Sequence, residues 1–428
     1  MQIRPFRGWR YRGDDGDVSR YIAPPYDILN QADKDRLLAR SEHNIVAVDL
    51  PHVPPKDLGP ESKYDQAAAT LADWQRTGVL VREAAPAIYA YEQTFAWAGQ
   101  TYTRQAILVA VRATELGKDV IPHEHTFAGP KADWLCLMSK THMQLSPIFG
   151  FYRDPSGLVE ERLTRHTARP ADARAELDGV RERLWVITDP TDIAAMAAAL
   201  DDQPVFIADG HHRYTTALNY LQQLQQAGPV GEDHPARFVL FALVGQDDPG
   251  LRILPTHRII HGLKEGFSLQ QLVDRCGAFA WRQVDPRDGQ LDDADGLLAP
   301  FGVGAMGLLA GSSSTMFVAR LKDPAVMAQA APDESEVWRR LDVAILHQLL
   351  IEQGLSPWRS EQMQIEYTPR GPDVLAACRQ SPATLGVILQ STPLEAVERI
   401  ARAGASMPHK STYFYPKLAT GLVVRPLE

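Results

Sequence analysis

Three short apolar runs, LWVIT (184–188), PVFIA (204–208) and RFVLFALV (237–244), alternate with two helix-patterned stretches, IAAMAAAL (193–200) and HRYTTALNYLQQLQQAG (212–228). Runs so short and so apolar suit strands buried on both faces. Their alternation with helices predicts a mixed α/β (α+β) core.

The flanking segments read less uniformly. IYAYEQTFAW and QTYTRQAILVAVRA, joined at Ala98-Gly99, predict a β-hairpin over 88–112. Residues 63–79 carry Ala and Leu at helical spacing and end near Gly78, which predicts a helix. In 20–50, YIAPPYDIL reads as a Pro-rich turn and NIVAVDLP as a strand. A Gly- and Asp-rich loop (DPRDGQLDDADG) precedes the strand pattern STMFVARL, and EVWRRLDVAILHQLLIEQG (336–354) predicts one helix closed by Gly354. TLGVILQ (384–390) reads as a strand. The helix after it carries a T-x-x-E capping pattern, Thr392 with Glu395. These textures divide the chain into a core over 1–265, an insertion or subdomain over 266–333, and a C-terminal α/β segment over 334–428 that packs back on the core.

The chain has 428 residues, enough for roughly two or three domains. It has 44 Lys/Arg against 53 Asp/Glu, a formal net charge of −9. That balance argues against a nucleic-acid or anionic-membrane partner, because neither attracts an acidic protein at long range. Cys136, Cys276 and Cys378 are too few and too scattered for a disulfide framework or a cysteine zinc site. No apolar stretch approaches the ~18 residues of a membrane span. The basic N-terminus MQIRPFRGWRYRGDDG lacks the apolar run of a secretory signal. The expectation is a cytoplasmic protein; oligomeric state is not legible.

Three segments have the residue types for chemistry. In IADGHHRYTTA (207–217) an apolar run ends, Asp209-Gly210 turns, and a helix begins near His212. The first turn of a helix offers N–H groups and partial positive charge to an anion, and His211, His212 and Arg213 stand beside it. Arg213 has the planar fork that suits phosphate or carboxylate, while Asp209 can cap, hold a metal or accept a proton. The plainer reading is a capping Asp with solvated basic neighbours. VIPHEHTFAGPKADW (120–134) reads as an irregular polar loop with His123, Glu124, His125, Lys131 and Asp133. Glu124 suits a general base, Lys131 a phosphate contact, and His123 and His125 a two-ligand metal fragment. MPHKSTYFYPK (407–417) supplies His409, Lys410, Ser411, Thr412 and Lys417 with no acid. It suits an anion-binding loop but lacks the glycines of a Walker motif. The rival readings of these two segments are a solvated loop and a polar linker.

Together the three segments hold four Lys/Arg, three Asp/Glu and five His, so the acidity of the chain lies elsewhere. Gly302, Gly304 and Gly307 fit G-x-G-x-x-G, but a strand pattern follows them where a dinucleotide site needs a helix. His257, in LPTHRII, reads as structural, with a site role as the alternative, and His347 on the Leu-rich helix reads as a satisfied packing residue.

IAPPYDIL, HEHTFAGPKAD, IADGHHRYTTA and MPHKSTYFYPK together resemble the DUF1015 family of uncharacterised bacterial and archaeal proteins, from about residue 3 to 425. The Asp-Gly-His-His-Arg core is also similar to that of free-serine kinases with a ParB/sulfiredoxin-like fold. The resemblance implies such a core with added subdomains, and a phosphate site at Asp209, Gly210, His211, His212 and Arg213. It also implies an acid/base loop at His123 and Glu124, a closing loop at Lys410 and Ser411, and serine or phosphoserine as ligand. Trp134 stands where the family pattern has Arg, which bears on substrate.

The expected function is phosphoryl transfer on a small amino-acid-like metabolite, kinase-like or phosphatase-like. Mg2+ would assist, with Asp209 helping to place it, and ATP or ADP is the nucleotide considered. Catalytic roles fall to Glu124, His123, Asp209 and His211. Binding falls to Gly210, His212, Arg213, Lys131, Lys410, Ser411, Thr412 and Lys417. The alternatives are a non-catalytic nucleotide or phospho-metabolite sensor and a zinc hydrolase using His123, His125 and His211.

Overall fold

The computed structural model describes the chain apart from residues 55–56, 125–127, 288 and 312–314 and the side chains of 128–130. It separates into two compact units, Met1–Arg252 with Pro416–Glu428, and Ile253–Tyr415. The segments expected as 266–333 and most of 334–428 thus fall in one unit, and the last stretch of chain belongs to the other.

The first unit is built on a nine-stranded mixed sheet. Its strands are β1 (Ile3–Arg4), β2 (Ile88–Trp97), β3 (Gln100–Arg112), β4 (Val120–Ile121), β5 (Ile148–Tyr152), β6 (Ala173–Leu177), β7 (Val180–Ile187), β8 (Val205–Asp209) and β9 (Phe238–Gly245). The order is β4-β8-β5-β9-β3-β2-β7-β6, with β1 on β3. β2 and β3 are the predicted hairpin, turning at Ala98 and Gly99 in left-handed conformations. β5 runs parallel to β9 and antiparallel to β8. Besides a helix over Gln31–Arg40, the helices among the described residues are α1 (Val46–Asp49), α2 (Glu61–Thr77), α3 (Ala128–Thr141), α4 (Leu158–Thr167), α5 (Pro190–Leu200) and α6 (His211–Ala227). Ile107, Val109, Ile148, Val205, Ile207, Tyr214, Phe241 and Leu243 share one buried core. The mixed α/β architecture is therefore as predicted.

The second unit carries a six-stranded antiparallel sheet. Its strands are β10 (His257–His261), β11 (Phe279–Val284), β12 (Met306–Ala310), β13 (Met316–Leu321), β14 (Gln364–Thr368) and β15 (Leu385–Ile388), in the order β11-β13-β12-β15-β10-β14. Helix α7 (Gly371–Gln380) packs Val374 and Cys378 onto the face bearing Ile259, Leu309 and Ile388. Helix α8 (Leu394–Arg402) follows β15.

Several local expectations fail for physical reasons. NIVAVDLP forms the single helical turn α1 and no strand: Asn44 accepts from the Val46 N–H at 3.0 Å and donates to the Arg20 and Ile22 carbonyls. Side-chain bonding to the backbone overrides the β-branched composition. The second half of 120–134 is no loop but the start of α3, because Trp134, Leu137 and Met138 make a buried stripe at helical spacing. The 336–354 helix is broken into Glu336–Arg339 and Asp342–Ile345, then runs on as a π-helix, Leu346–Gly354. Thr392 does not cap α8; its hydroxyl donates to the Ser411 carbonyl at 2.9 Å. His347 is not satisfied: its Nε2 is buried without a partner among the described residues, and burial pushes its pKa down to about 4.

Candidate functional site

Asp209 closes β8, and the chain reverses into α6 through Gly210. Gly210 has φ +95, and a Cβ there would meet the Arg213 guanidinium at 3.1–3.2 Å. The backbone conformation and the packed guanidinium both select glycine. Three of the predicted residues then converge. Lys417 Nζ donates to Asp209 Oδ2 at 3.0 Å, Arg213 Nη2 lies 4.0 Å from the same oxygen, and the Gly210 N–H donates to Asp209 Oδ1 at 2.9 Å. Burial alone would raise the Asp209 pKa. Lys417, Arg213 and the bond to Lys417 outweigh it and hold the carboxyl far below the usual range. Asp209 therefore stays ionised at every working pH, which suits positioning and charge stabilisation better than proton transfer.

His123 and His211 meet beside this cluster, ring centroids 4.7 Å apart and edge-on. His123 Nδ1 bonds the Ile207 carbonyl at 2.8 Å, so that nitrogen holds the proton and Nε2 the lone pair. His211 Nε2 accepts from the His123 backbone N–H at 3.3 Å, which places its proton on Nδ1. Burial is the main cause that lowers His123 to about 4 and His211 well below its ordinary value. Both imidazoles are neutral at pH 7.

Lys417 is held by a buried polar layer on the sheet that no motif announced. Arg104 donates to the Pro416 carbonyl at 2.7 Å and also to Gln93 Oε1. Gln93 Nε2 donates to the Lys417 carbonyl at 3.0 Å and to Glu182 Oε1 at 3.1 Å, and Tyr91 donates to Glu182 Oε2 at 2.7 Å. These partners sit on β2, β3 and β7, so the clamp is assembled only by strand pairing. The alternating polar positions of the hairpin were its single sequence trace.

Arg213 also donates to the Pro147 carbonyl at 2.5 Å. A second acid, Asp49, is within its electrostatic reach. Burial raises Asp49 to about 7 while Arg213 and the Ser146 hydroxyl pull it down. Ser146 Oγ is 3.3 Å from Asp49 Oδ1 and 2.8 Å from Thr420 Oγ1. Asp133 is fixed by Tyr64 at 2.6 Å and His52 at 2.9 Å. Trp134 packs edge-on against Tyr26 at 4.7 Å. Sequence reasoning missed Asp49 because it read that segment as a strand.

The other predicted residues are placed as follows. Glu124 and His212 are half-buried next to His123 and His211, and Lys131 is half-buried on α3. His125 lies outside the described residues. Lys410, Ser411 and Thr412 belong to the second unit: Lys410 is exposed, its carbonyl accepts from Arg258 at 3.0 Å, and Ser411 Oγ donates to the Pro408 carbonyl at 2.5 Å. The Ser411 hydroxyl thus serves the turn and is not presented to a ligand.

The residues do not fit a metal held by Asp209. Its oxygens are bonded by Gly210 and Lys417, with a second cation 4.0 Å away. Among the described residues no three His, Cys, Asp or Glu side chains are placed to share an ion. The zinc reading finds its His211 Nε2 already bonded. Also among the described residues, no helix is long and apolar enough to cross a membrane.

Residues 3–344 match the family described as "Protein of unknown function (DUF1015)", so MPHKSTYFYPK lies beyond the matched span. No curated protein matches the chain. Among solved structures, the chain is similar to a free serine kinase in complex with AMP (13% identity, TM-score 0.33, 74% of this chain and 92% of that one). It is similar also to SbnI with a C-terminal truncation from Staphylococcus aureus (12%, 0.35, 75% and 87%) and to a conserved hypothetical protein from Pyrococcus furiosus (12%, 0.33, 74% and 95%).

Proposed function

This chain belongs to the DUF1015 family, and we propose that it is a phosphoryl-transfer enzyme acting on a small amino-acid-like metabolite, with a nucleotide as the phosphoryl donor. The observation that carries the reading is the pair of cations, Lys417 and Arg213, gathered on Asp209 at the N-terminus of α6. An incoming phosphate takes over both cations and the first N–H groups of the helix, the standard means of stabilising a phosphoryl group. Mg2+ enters as part of the Mg2+–nucleotide substrate and not through Asp209.

Roles follow from protonation. Asp209 stays ionised and orients Lys417. Neutral His123 and His211 serve as hydrogen-bonding groups, and with its pKa near 4 His123 is a weak base at pH 7. Glu124 is therefore the proposed acceptor of the attacking hydroxyl's proton. A phosphatase version uses the same cradle with water as nucleophile, and a sensor version needs no base. Glu124→Gln separates the enzyme from the sensor: for the enzyme, turnover falls about 10²–10⁴-fold while nucleotide affinity is kept, and the product formed by the wild type tells kinase from phosphatase. Turnover unchanged in that variant removes Glu124 from the mechanism. A thermal-shift screen with ATP, ADP, serine and phosphoserine, each with and without Mg2+, finds the ligand. Absence of any shift and of any phosphoryl transfer overturns the reading.

A further inference from the structure

Asp209 pairs with Phe149 near the start of β5. At the other end of β5 the chain leaves two parallel strands side by side, β5 at Tyr152 and β9 at Gly245. The loops that follow enclose a cavity of about 230 Å3. Crevices beyond the carboxyl ends of parallel strands are favoured ligand positions in α/β sheets. Four carboxylates line this one, Asp154, Glu160, Asp247 and Asp248, with no Lys or Arg among the described lining residues.

Two of the acids are fixed by backbone donors. Asp154 Oδ2 accepts from Val159 at 2.9 Å and Glu160 at 3.3 Å; Asp248 accepts from Gln105 at 2.9 Å and Gly250 at 2.7 Å. Each carboxylate keeps acceptor capacity beyond these bonds. The independent sign of a ligand is Tyr152. It lines the cavity at 2% exposure, and its hydroxyl has no hydrogen-bond partner among the described residues. Burial, then the charges of Asp154, Asp248 and Glu160, raise its pKa far above the usual range, so it is a neutral hydroxyl facing the acids. With the rest of its ring packed away, this hydroxyl has only the cavity in which to find a partner. Arg153, next in the chain to Tyr152, bonds Gln246 at 3.1 Å, and the buried Arg104 is the cation that acts on Asp248.

We propose that this cavity binds a small aliphatic amine, its ammonium shared by Asp154 and Asp248 and an N–H accepted by the Tyr152 oxygen. An ammonium has three donors and no acceptor, the complement of this wall. The volume equals roughly eight waters, at about 30 Å3 each, which suits a chain of a few carbons. A bare metal ion is the poorer occupant, since among the described residues no three ligating side chains come together.

The test is calorimetric titration of the full chain with 1,4-diaminobutane, with neutral 1,4-butanediol as control. The amine binds saturably at one site and the diol does not. Asp248→Asn weakens binding by about 10-fold or more, and Tyr152→Phe by about 3–10-fold. Because Asp248 also holds backbone, a melting curve checks its variant. Glu160→Gln, on an exposed side chain, gives the second reading, with about 2–5-fold weakening. Lys417→Met leaves amine binding unchanged, which keeps this site's fate separate from that of Asp209. No binding up to about 10 mM amine, or binding indifferent to both Asp248→Asn and Tyr152→Phe, overturns the proposal. So does Ca2+ binding with the amine excluded.

Discussion

The two ends of β5 carry opposite chemistry on one sheet. At the start of the strand, Lys417 and Arg213 close on Asp209 beside two neutral histidines. At its end, Asp154, Glu160, Asp247 and Asp248 surround Tyr152. The strand itself, Ile148–Tyr152, is buried throughout and contributes little charge to either. Charge arrives on the segments that the strand order brings to each end: α6 and the C-terminal stretch at one, the loops after β5 and β9 at the other. A whole-chain net charge of −9 therefore describes neither site.

The largest effect that sharpens this contrast is at Lys417. Lys417→Met removes one of the two cations on Asp209 and weakens binding of a phosphate-bearing ligand by ~1.5–3 kcal/mol, read by calorimetry. Asp248→Asn leaves that affinity untouched. Equal losses in both variants erase the distinction between the two ends.

Next come two glycines in matching places. Gly210 sits at φ +95 under the Arg213 guanidinium, whereas Gly245 has nothing within 4 Å of an added Cβ. Gly210→Ala costs ~1–3 kcal/mol in denaturant unfolding, and Gly245→Ala falls within ~0.5 kcal/mol of wild type. A tolerated Gly210→Ala contradicts the turn geometry.

The smallest effects are pH slopes of opposite sign. His123, lowered to about 4, and His211 are neutral when folded, while the unfolded chain protonates them below about pH 6.5. Their contribution to stability is present above 6.5 and lost as pH falls towards 4. Asp49 runs the other way. It is raised to about 7 by burial from an unfolded value of 3.8, so its folded form holds the extra proton and stability is lost as pH rises through that window. Asp49→Asn melts above wild type at pH 8 by ~1–2 kcal/mol, an advantage that fades by pH 4. His211→Asn flattens the acid side by a similar amount. An unchanged slope in either variant removes that residue from the buried set.

Much of the candidate site was legible. Asp209, Gly210 and Arg213 fall within one short stretch, 209–213, and a strand–turn–helix brings such near neighbours together whatever the rest of the chain does. The mixed α/β core and the hairpin were legible too, because buried strands and amphipathic helices impose different apolar periods. Lys410, Ser411 and Lys417 were legible as one polar segment, yet the boundary at Tyr415 and Pro416 assigns them to different units.

The sequence by itself determined the elements whose signal is local: apolar runs of strand length, the Gly210 turn, and the residue types beside it. Tertiary structure decided what those residues touch and how they are charged. Lys417 reaches Asp209, 208 positions away in the chain, because Arg104 and Gln93 on paired strands anchor its backbone. The histidines became neutral, and Asp49 hard to ionise, through burial. Burial and long-range pairing depend on which surfaces meet, and the linear pattern holds no record of that.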